Sequence, residues 1–331
     1  MHSWYLRRYP VIVEVPASYT ATITAPGGTI YQFVDATFTV STDVPSPTYT
    51  WSAAGGSVIS GQGTTSAVIR FSSSGSQSVT CDVTGGGTAS DTEPVTVTAF
   101  SPLALSGLSA WFDAGDLSSL TLDGSNNVSQ WNDKSGNARH ATQSTVLNRP
   151  GYYAAQLNGL GAVRGNGTSS FLTFTGGSLA SGYTVFVVYD IASATTTGIF
   201  SQYPSPGTGN GFSLWTGLCR TGRAGGAVSF PSGSPTTAGT PVSEVIRIDG
   251  ANPTSNFAFL ATWNAAERTG TVAQNAGTPA AATAYIGAVN PTDSNSGANI
   301  YEIAIFSRSI TNTERDLLKS YVTSKWGLTW A

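Results

Sequence analysis

Along residues 11–100, apolar and polar positions alternate in short runs: YTATITAP, ATFTVSTDV, PTYTWSAAGG, SAVIRFSSSG, SQSVTCDVTGGG and EPVTVTAF, each bounded by Gly, Ser or Pro. Alternation at period two turns one face of a strand to a core and the other to water. Turn residues at this spacing predict a β-sandwich. From about residue 103 the pattern changes. YTVFVVYDI (183–191) is a nearly continuous apolar run, as in a strand covered on both faces. NFAFLATWNA (256–265) and TAYIGAVN (283–290) predict further strands, and NIYEIAIFSRSI (299–310) alternates over its middle. One helix follows. Thr311 as N-cap and Glu314 three residues on form a capping box. Leu317, Leu318, Tyr321, Val322 and Trp326 share one face, and Gly327 is the stop. The stretches 203–211 and 231–241 predict long surface loops.

These patterns divide the chain into an arm (1–10), a β-sandwich domain (11–100), a linker (101–108) and a second domain (109–331). The linker lies in FSPLALSGL, which is too apolar for a floppy tether and predicts partly docked domains.

Composition narrows the classes. The chain has 331 residues, and its 40% apolar content and eight Trp suffice for two cores. With 10% charged residues and a net charge of −3, there is no basic excess for nucleic acid and no acidic tail. No run of about 18 apolar residues predicts a membrane span. Cys81 and Cys219 are far apart and make no disulfide framework, so two free, buried thiols are expected. The start, MHSWYLRRYPVIVEVP, has a basic pair but neither an apolar h-region nor a cleavage site, so no signal peptide is read. A composition typical of extracellular β-domains, without export signal or disulfide, fits a virion component made in a cytoplasm and acting outside it.

Two resemblances sharpen this. Trp51 and Cys81 stand where an immunoglobulin-like domain has its core Trp and second Cys, with Phe38 and Val40 in the strand where the first Cys would be. Residues 11–100 thus resemble an Ig-like (PKD-type) domain without its disulfide. The second domain contains GLSAWFDAGDLSSLTLDGSNNVSQWNDKSGNARHATQ, then RPGYYAAQLNGLGAVRGNGTSSFLTF, then EIAIFSRSITNTERDLLKSYVTSKWGL. In that order these blocks resemble a laminin-G-like (concanavalin A-like) jelly roll of phage and bacterial surface proteins. The resemblance covers about residues 105–328. It implies two curved antiparallel sheets with a short C-terminal helix against them, and for most members a binding or structural role.

The polar run WNDKSGNARHATQ (131–143) then reads as a turn lock. Asn132 and Asp133 can bond their own backbone, Gly136 supplies a positive φ, Trp131 packs inward, and Arg139 or His140 can bond a carbonyl at the sandwich rim. A catalytic His140 has no local partner. Glycoside hydrolysis needs two carboxylates facing one bond, and the second domain has no E-x-D-x-E run. Glu244 and Asp249, five apart, fall on opposite faces. No zinc set is present. Calcium is the ion that NPTDSNSGAN (290–299) could hold, through Asp293, Asn295 and Asn299, and an Asn/Ser/Gly turn is the alternative. Tyr203, Trp215 and Trp330 are the candidate glycan platforms, each able to be core instead. Trp4, Tyr5, Arg7, Arg8 and Tyr9 are residue types typical of interface hot spots and are the candidate partner-binding residues.

The expectation is therefore an all-β, non-enzymatic virion protein of capsid-decoration or head-fibre type. It would sit at the virion surface, with capsid or tail subunits as partners and neither cofactor nor catalytic residues. The alternatives are a carbohydrate-binding adhesin or tail-associated module that meets host-surface glycans, and a polysaccharide hydrolase.

Overall fold

The computed structural model describes residues 18–177, 182–190, 198–202, 211–215, 218–222, 239–249, 257–263, 266–272, 282–291 and 296–328; 211, 218–222, 249, 257–263 and 266–272 are described by backbone alone. The chain divides into two compact units, Met1–Phe100 and Ser101–Ala331. Both are all-β sandwiches, and the second carries one C-terminal helix among the described residues.

In the first unit the strands are β1 Ala21–Thr24, β2 Ile30–Tyr31, β3 Asp35–Thr42, β4 Thr48–Ala54, β5 Gly56–Ser60, β6 Ser66–Phe71, β7 Gly75–Thr84 and β8 Thr88–Thr98. They form two sheets, ordered β1-β3-β6-β5 and β2-β8-β7-β4. Along β3 the exposure alternates residue by residue, as the sequence pattern requires. Phe38, Phe71, Val79, Cys81 and Val83 have no exposed surface and form the core with Trp51. Trp51 and Cys81 are cross-strand partners on β4 and β7. The Trp51 indole Nε1 donates to the Thr64 carbonyl at 2.9 Å, which settles the one polar atom it carries inward. Phe38 and Val40 fill the opposite wall with apolar volume where a disulfide could have stood.

The second unit contains β9 Leu108–Asp113, β10 Leu120–Leu122, β11 Val128–Trp131, β12 Ala141–Thr142, β13 Gly151–Leu157, β14 Leu160–Arg164, β15 Leu172–Thr175, β16 Gly182–Asp190, β17 Gly198–Gln202, β18 Gly211–Trp215, β19 Leu218–Gly222, β20 Val242–Asp249, β21 Phe257–Trp263, β22 Ala266–Val272, β23 Thr283–Ile286 and β24 Asn299–Phe306, then the helix α1 Asn312–Trp326. One sheet runs β10-β11-β12-β15-β23-β17-β18-β19. The other runs β13-β14-β24-β16-β20-β21-β22, with β9 also on β24. Between them lies a core that includes Phe112, Trp131, Phe174, Val185, Val187, Phe200, Phe212, Ile246, Ile303 and Ile305.

β16 is buried along its whole length, and the reason lies on the outer face of its sheet. There α1 packs, capped as its sequence dictates. The Thr311 hydroxyl accepts from the Glu314 N–H, Glu314 reaches back to the Thr311 N–H, and Gly327 adopts φ +69° at the end. The register of β16 on β24 shifts between Val188 and Tyr189. Ile300 and Ile303 are both in the core, so the intervening Tyr301 and Glu302 both turn outward, as a bulge permits. Tyr301 meets the Trp326 ring and Glu302 accepts from Trp326 Nε1.

No helix among the described residues is long and apolar enough to cross a membrane.

Candidate functional site

The same outer face carries, beyond the helix, a second polar group. It begins with the hairpin β13–β14. Its loop is Asn158-Gly159, with φ +48° and +75°, the two-residue turn whose twist suits a hairpin. Between Tyr153 and Leu157 the register shifts, and Ala155 takes φ +51°, a left-handed value uncommon for a residue with a Cβ. This bulge swings Gln156 back toward β14, where its Oε1 accepts from Arg164 Nη2 at 3.2 Å.

Tyr153 lies diagonally across from Arg164, which is paired with Gly151. A Cβ at Gly151 would come within 3.0 Å of the Tyr153 ring, so the glycine makes room for it to lie over the backbone. The Arg164 guanidinium carbon sits 3.8 Å from the ring centroid, within cation–π range. Tyr153 itself is 42% exposed, the largest opening of any aromatic side chain among the described residues of this unit.

Arg164, Asn299 and Asp190 occupy one row across β14, β24 and β16. The Asn299 amide donates to Asp190 Oδ2 at 3.0 Å, and the Tyr301 hydroxyl donates to the same oxygen at 2.6 Å. Burial, and then the Asp190 carboxylate it serves, push the Tyr301 hydroxyl well above the ordinary phenol range, so it stays a donor. Two buried atoms in this row have no protein partner: Arg164 Nε, a donor, and Asn299 Oδ1, an acceptor. They belong to residues paired across adjacent strands. The site therefore offers an open aromatic face, a guanidinium beneath it and amide groups on either side.

A second group, under α1, is fully spent on structure. Glu302 has no exposed surface and accepts four bonds: from Trp111 Nε1 at 2.7 Å, Tyr321 Oη at 2.7 Å, Trp326 Nε1 at 2.6 Å and Lys325 Nζ at 3.2 Å. Lys325 also pairs with Asp113 at 2.6 Å, and Asp113 with Lys134 at 3.0 Å. All the carboxylate's lone pairs are in use, so it holds the helix and no ligand.

Glu244 is different. It lies on the interior side of β20, opposite Val187, and the Tyr189 hydroxyl donates to it at 3.1 Å. Burial pushes its carboxyl up to about 7, a value a general acid can use. Hydrolysis by a carboxylate pair needs a second acid on the same bond, and among the described residues no other carboxylate shares its hydrogen bonds.

The polar run 131–143 is a turn lock built on Asp133. Its Oδ1 accepts from the N–H groups of Trp111 and Ser135, both at 2.9 Å, and its Oδ2 from the Arg139 N–H at 3.0 Å. Its own N–H donates to His140 Nδ1 at 3.1 Å. Gly136 has φ +88°, Trp131 is fully buried, and Arg139 Nη1 donates to the Thr175 carbonyl at 2.9 Å.

The other residues singled out from sequence fall as follows. Trp215 sits on the outer side of β18, half-buried, its Nε1 donating to Ser213 Oγ at 2.8 Å. Asn299 serves Asp190, as above. Asp293, Asn295, Tyr203, Trp330 and the arm residues Trp4, Tyr5, Arg7, Arg8 and Tyr9 lie outside the described residues. No group of three or more His, Cys, Asp or Glu among the described residues could hold a metal ion. Tyr153 and Arg164 were not singled out from sequence, although a regular ladder counted back from Asn158-Gly159 sets them opposite one another, and the bulge moves them only to the diagonal. The Asn-Gly turn was the available signal, since it aligns the two strands.

No family model matches this chain, and no curated protein matches it. Among solved structures it is similar to an arabinofuranosidase complexed with arabinofuranosyl-alpha-1,2-xylobiose, at 15% identity over 60% of this chain and 51% of that one, with a TM-score of 0.44. It is also similar to Trypanosoma rangeli sialidase, at 14% identity over 75% and 43%, TM-score 0.44. A third is domain 4 of AbnA, an extracellular arabinanase from Geobacillus stearothermophilus, in complex with arabinotriose, at 21% identity over 63% and 97%, TM-score 0.42. The chain spans about half the length of the first two. At these identities the likeness is one of β-rich architecture. The neighbours are carbohydrate-active proteins and none of the three is a virion component. The expectations of a virion structural protein and of a non-enzymatic chain are corrected accordingly.

Proposed function

We propose that the second unit is a laminin-G-like jelly roll that recognises carbohydrate on the outer face of its β13–β24 sheet, preceded by an Ig-like sandwich. One observation carries this reading: the exposed Tyr153 ring, backed by Arg164 and flanked by the Gln156 amide. A sugar ring has one face of C–H groups and a rim of hydroxyls. The C–H face stacks on an aromatic ring, and the hydroxyls need directional donors and acceptors close by. Tyr153 supplies the first. Arg164 and the Gln156 amide supply the second. The bulge at Ala155 holds this group in place at the expense of a left-handed backbone, which is a form of strain that concentrates at functional sites.

The test is affinity electrophoresis of the full chain against a panel of plant and bacterial polysaccharides. Wild type is retarded by at least one. Tyr153→Ala, whose side chain is outside the core, melts as wild type does and loses at least tenfold in affinity, about 1.4 kcal/mol. Retardation unchanged in Tyr153→Ala sinks this site.

A further inference from the structure

We propose that the Tyr153–Arg164 site selects sugars bearing a carboxylate, of the uronic-acid class, over their neutral counterparts. This rests on the reading of the site as a carbohydrate site. Apart from Arg164, the cations among the described residues of the second unit are settled on carboxylates or main-chain carbonyls. Lys134 pairs with Asp113 and Asp116, Arg149 with Asp123, Arg308 with Glu314, Arg315 with Asp316, and Lys325 with Asp113 and Glu302. Arg139 and Arg247 are bound to the main-chain carbonyls of Thr175 and Ile310. Arg164 has neither. Its one hydrogen bond goes to a neutral amide and its charge faces an aromatic ring; its Nε is buried without a partner, as is that of Arg139.

A guanidinium is a planar fork of donors that matches two carboxylate oxygens, and such bonds are about twice as strong as neutral ones. The fork of Arg164 has donors to spare, and the ring above it orients a planar or chair-shaped ligand. In the same row stands an opposing charge, Asp190, two strands over and so about 10 Å away by strand spacing. Its oxygens are turned to Tyr301 and Asn299. It leaves the Arg164 side of the row net positive, and it would repel a carboxylate seated further along the row. That places the ligand's acid group at Arg164 and its neutral rim toward Asn299.

The experiment uses the full chain with polygalacturonate, alginate and hyaluronan, each paired with its fully methyl-esterified form. Esterification removes the charge and keeps the sugar. Wild type is expected to bind at least one acid form tenfold or more tightly than its ester, with affinity falling as salt rises. Arg164→Gln abolishes that preference, and Arg164→Lys, which keeps the charge without the fork, retains only part of it. Far-UV circular dichroism and thermal melts verify that each variant is folded. Equal binding of acid and ester by wild type, or a preference that survives in Arg164→Gln, overturns the carboxylate assignment alone. Tighter binding to dextran sulfate than to every uronate also overturns it, in favour of bulk charge. If no polymer binds, or if Tyr153→Ala changes nothing for either form, the carbohydrate reading itself fails and this one with it.

Discussion

The Trp326 indole donates to the Glu302 carboxylate at 2.6 Å, joining the last residue of the helix to β24, an inner strand of its sheet. Both residues have no exposed surface. The contact depends on the bulge that turns Tyr301 and Glu302 outward together, so the helix, the strand and the irregularity form one structural unit. It also divides the outer face: one end is closed by α1, and the other is left open at Tyr153.

Emptying the Trp326 site removes an indole from a fully buried position and strips a donor from a buried carboxylate. Trp326→Ala is expected to cost about 3–5 kcal/mol. Trp326→Phe keeps most of the volume and should cost about 1.5–3 kcal/mol for the lost bond to a charged group. Urea melts of the full chain, followed by a probe of the second unit, measure both. Equal losses in the two variants would assign the hold to the bond with Glu302, and a Trp326→Phe that melts as wild type does would assign it to packing and leave Glu302 no role in it.

The polar run around Asp133 makes an asymmetric prediction. Asp133→Ala orphans the amides of Trp111, Ser135 and Arg139 together, and at about 1–3 kcal/mol for each buried, unmet donor the loss should exceed 3 kcal/mol. A Cβ at Gly136 meets no atom within 4 Å, so the cost of Gly136→Val is chiefly backbone strain at φ +88°, about 1–2 kcal/mol. His140 accepts one bond from the Asp133 N–H and is exposed. A glutamine oxygen can replace that acceptor, so His140→Gln should stay within about 0.5 kcal/mol of wild type. Thermal melts rank the three, and a His140→Gln loss as large as that of Asp133→Ala would contradict a lock centred on Asp133.

Most of the architecture was legible in the sequence because its signals are local. Period-two alternation marked the strands of the first unit, Thr311 and Glu314 marked the start of the helix, and Gly136 marked the positive φ. The site was not legible in the same way. The two extra residues that bulge from β13 move Tyr153 from opposite Arg164 to its diagonal, and Asp190, Asn299 and Arg164 share a row that three distant segments create. In sequence Glu302 is the one acid of YEIAIF, and nothing local shows that it accepts four donors from β9 and α1. Neither its burial nor that of Glu244 follows from period or spacing. The turn-lock reading of 131–143 foresaw the loop's geometry, but it did not foresee that Asp133 would collect amides from both sides of the loop.

Cys81 has no exposed surface, and burial pushes its thiol up to about 11. A thiol so raised is almost wholly protonated at pH 8, and the thiolate is the nucleophile. Cys81 should therefore resist iodoacetamide in the native protein and react once urea unfolds the first unit. Peptide mapping after alkylation reads this position separately from Cys219. Prompt native labelling of Cys81 would show that the β4–β7 face opens locally.

The Glu244 carboxyl gives a pH dependence of definite sign. Its ordinary value is 4.5, and burial raises it to about 7 in the fold, against the opposing pull of the Tyr189 hydroxyl. The folded chain thus holds this proton more tightly than the unfolded one. The stability that goes with the neutral acid is fully present below about pH 4.5, and it is lost as pH rises through about 7. A displacement of that size corresponds to about 3 kcal/mol at most. Glu244→Gln keeps the shape and an acceptor for Tyr189 but cannot ionise. At pH 4.5 it should match wild type. At pH 8 it should be more stable by about 2–3 kcal/mol, because wild type must then bury a carboxylate with one hydrogen bond. Asp116 and Asp123, whose hydrogen bonds hold them below the usual carboxylate range, act at lower pH and with the opposite sign, so they leave this window clear. The measurement is the difference between the urea midpoints of the two proteins at pH 4.5, 6 and 8. A difference that stays constant across the three would mean that Glu244 takes up its proton at the same pH in the folded and unfolded chain, so that burial does not raise it.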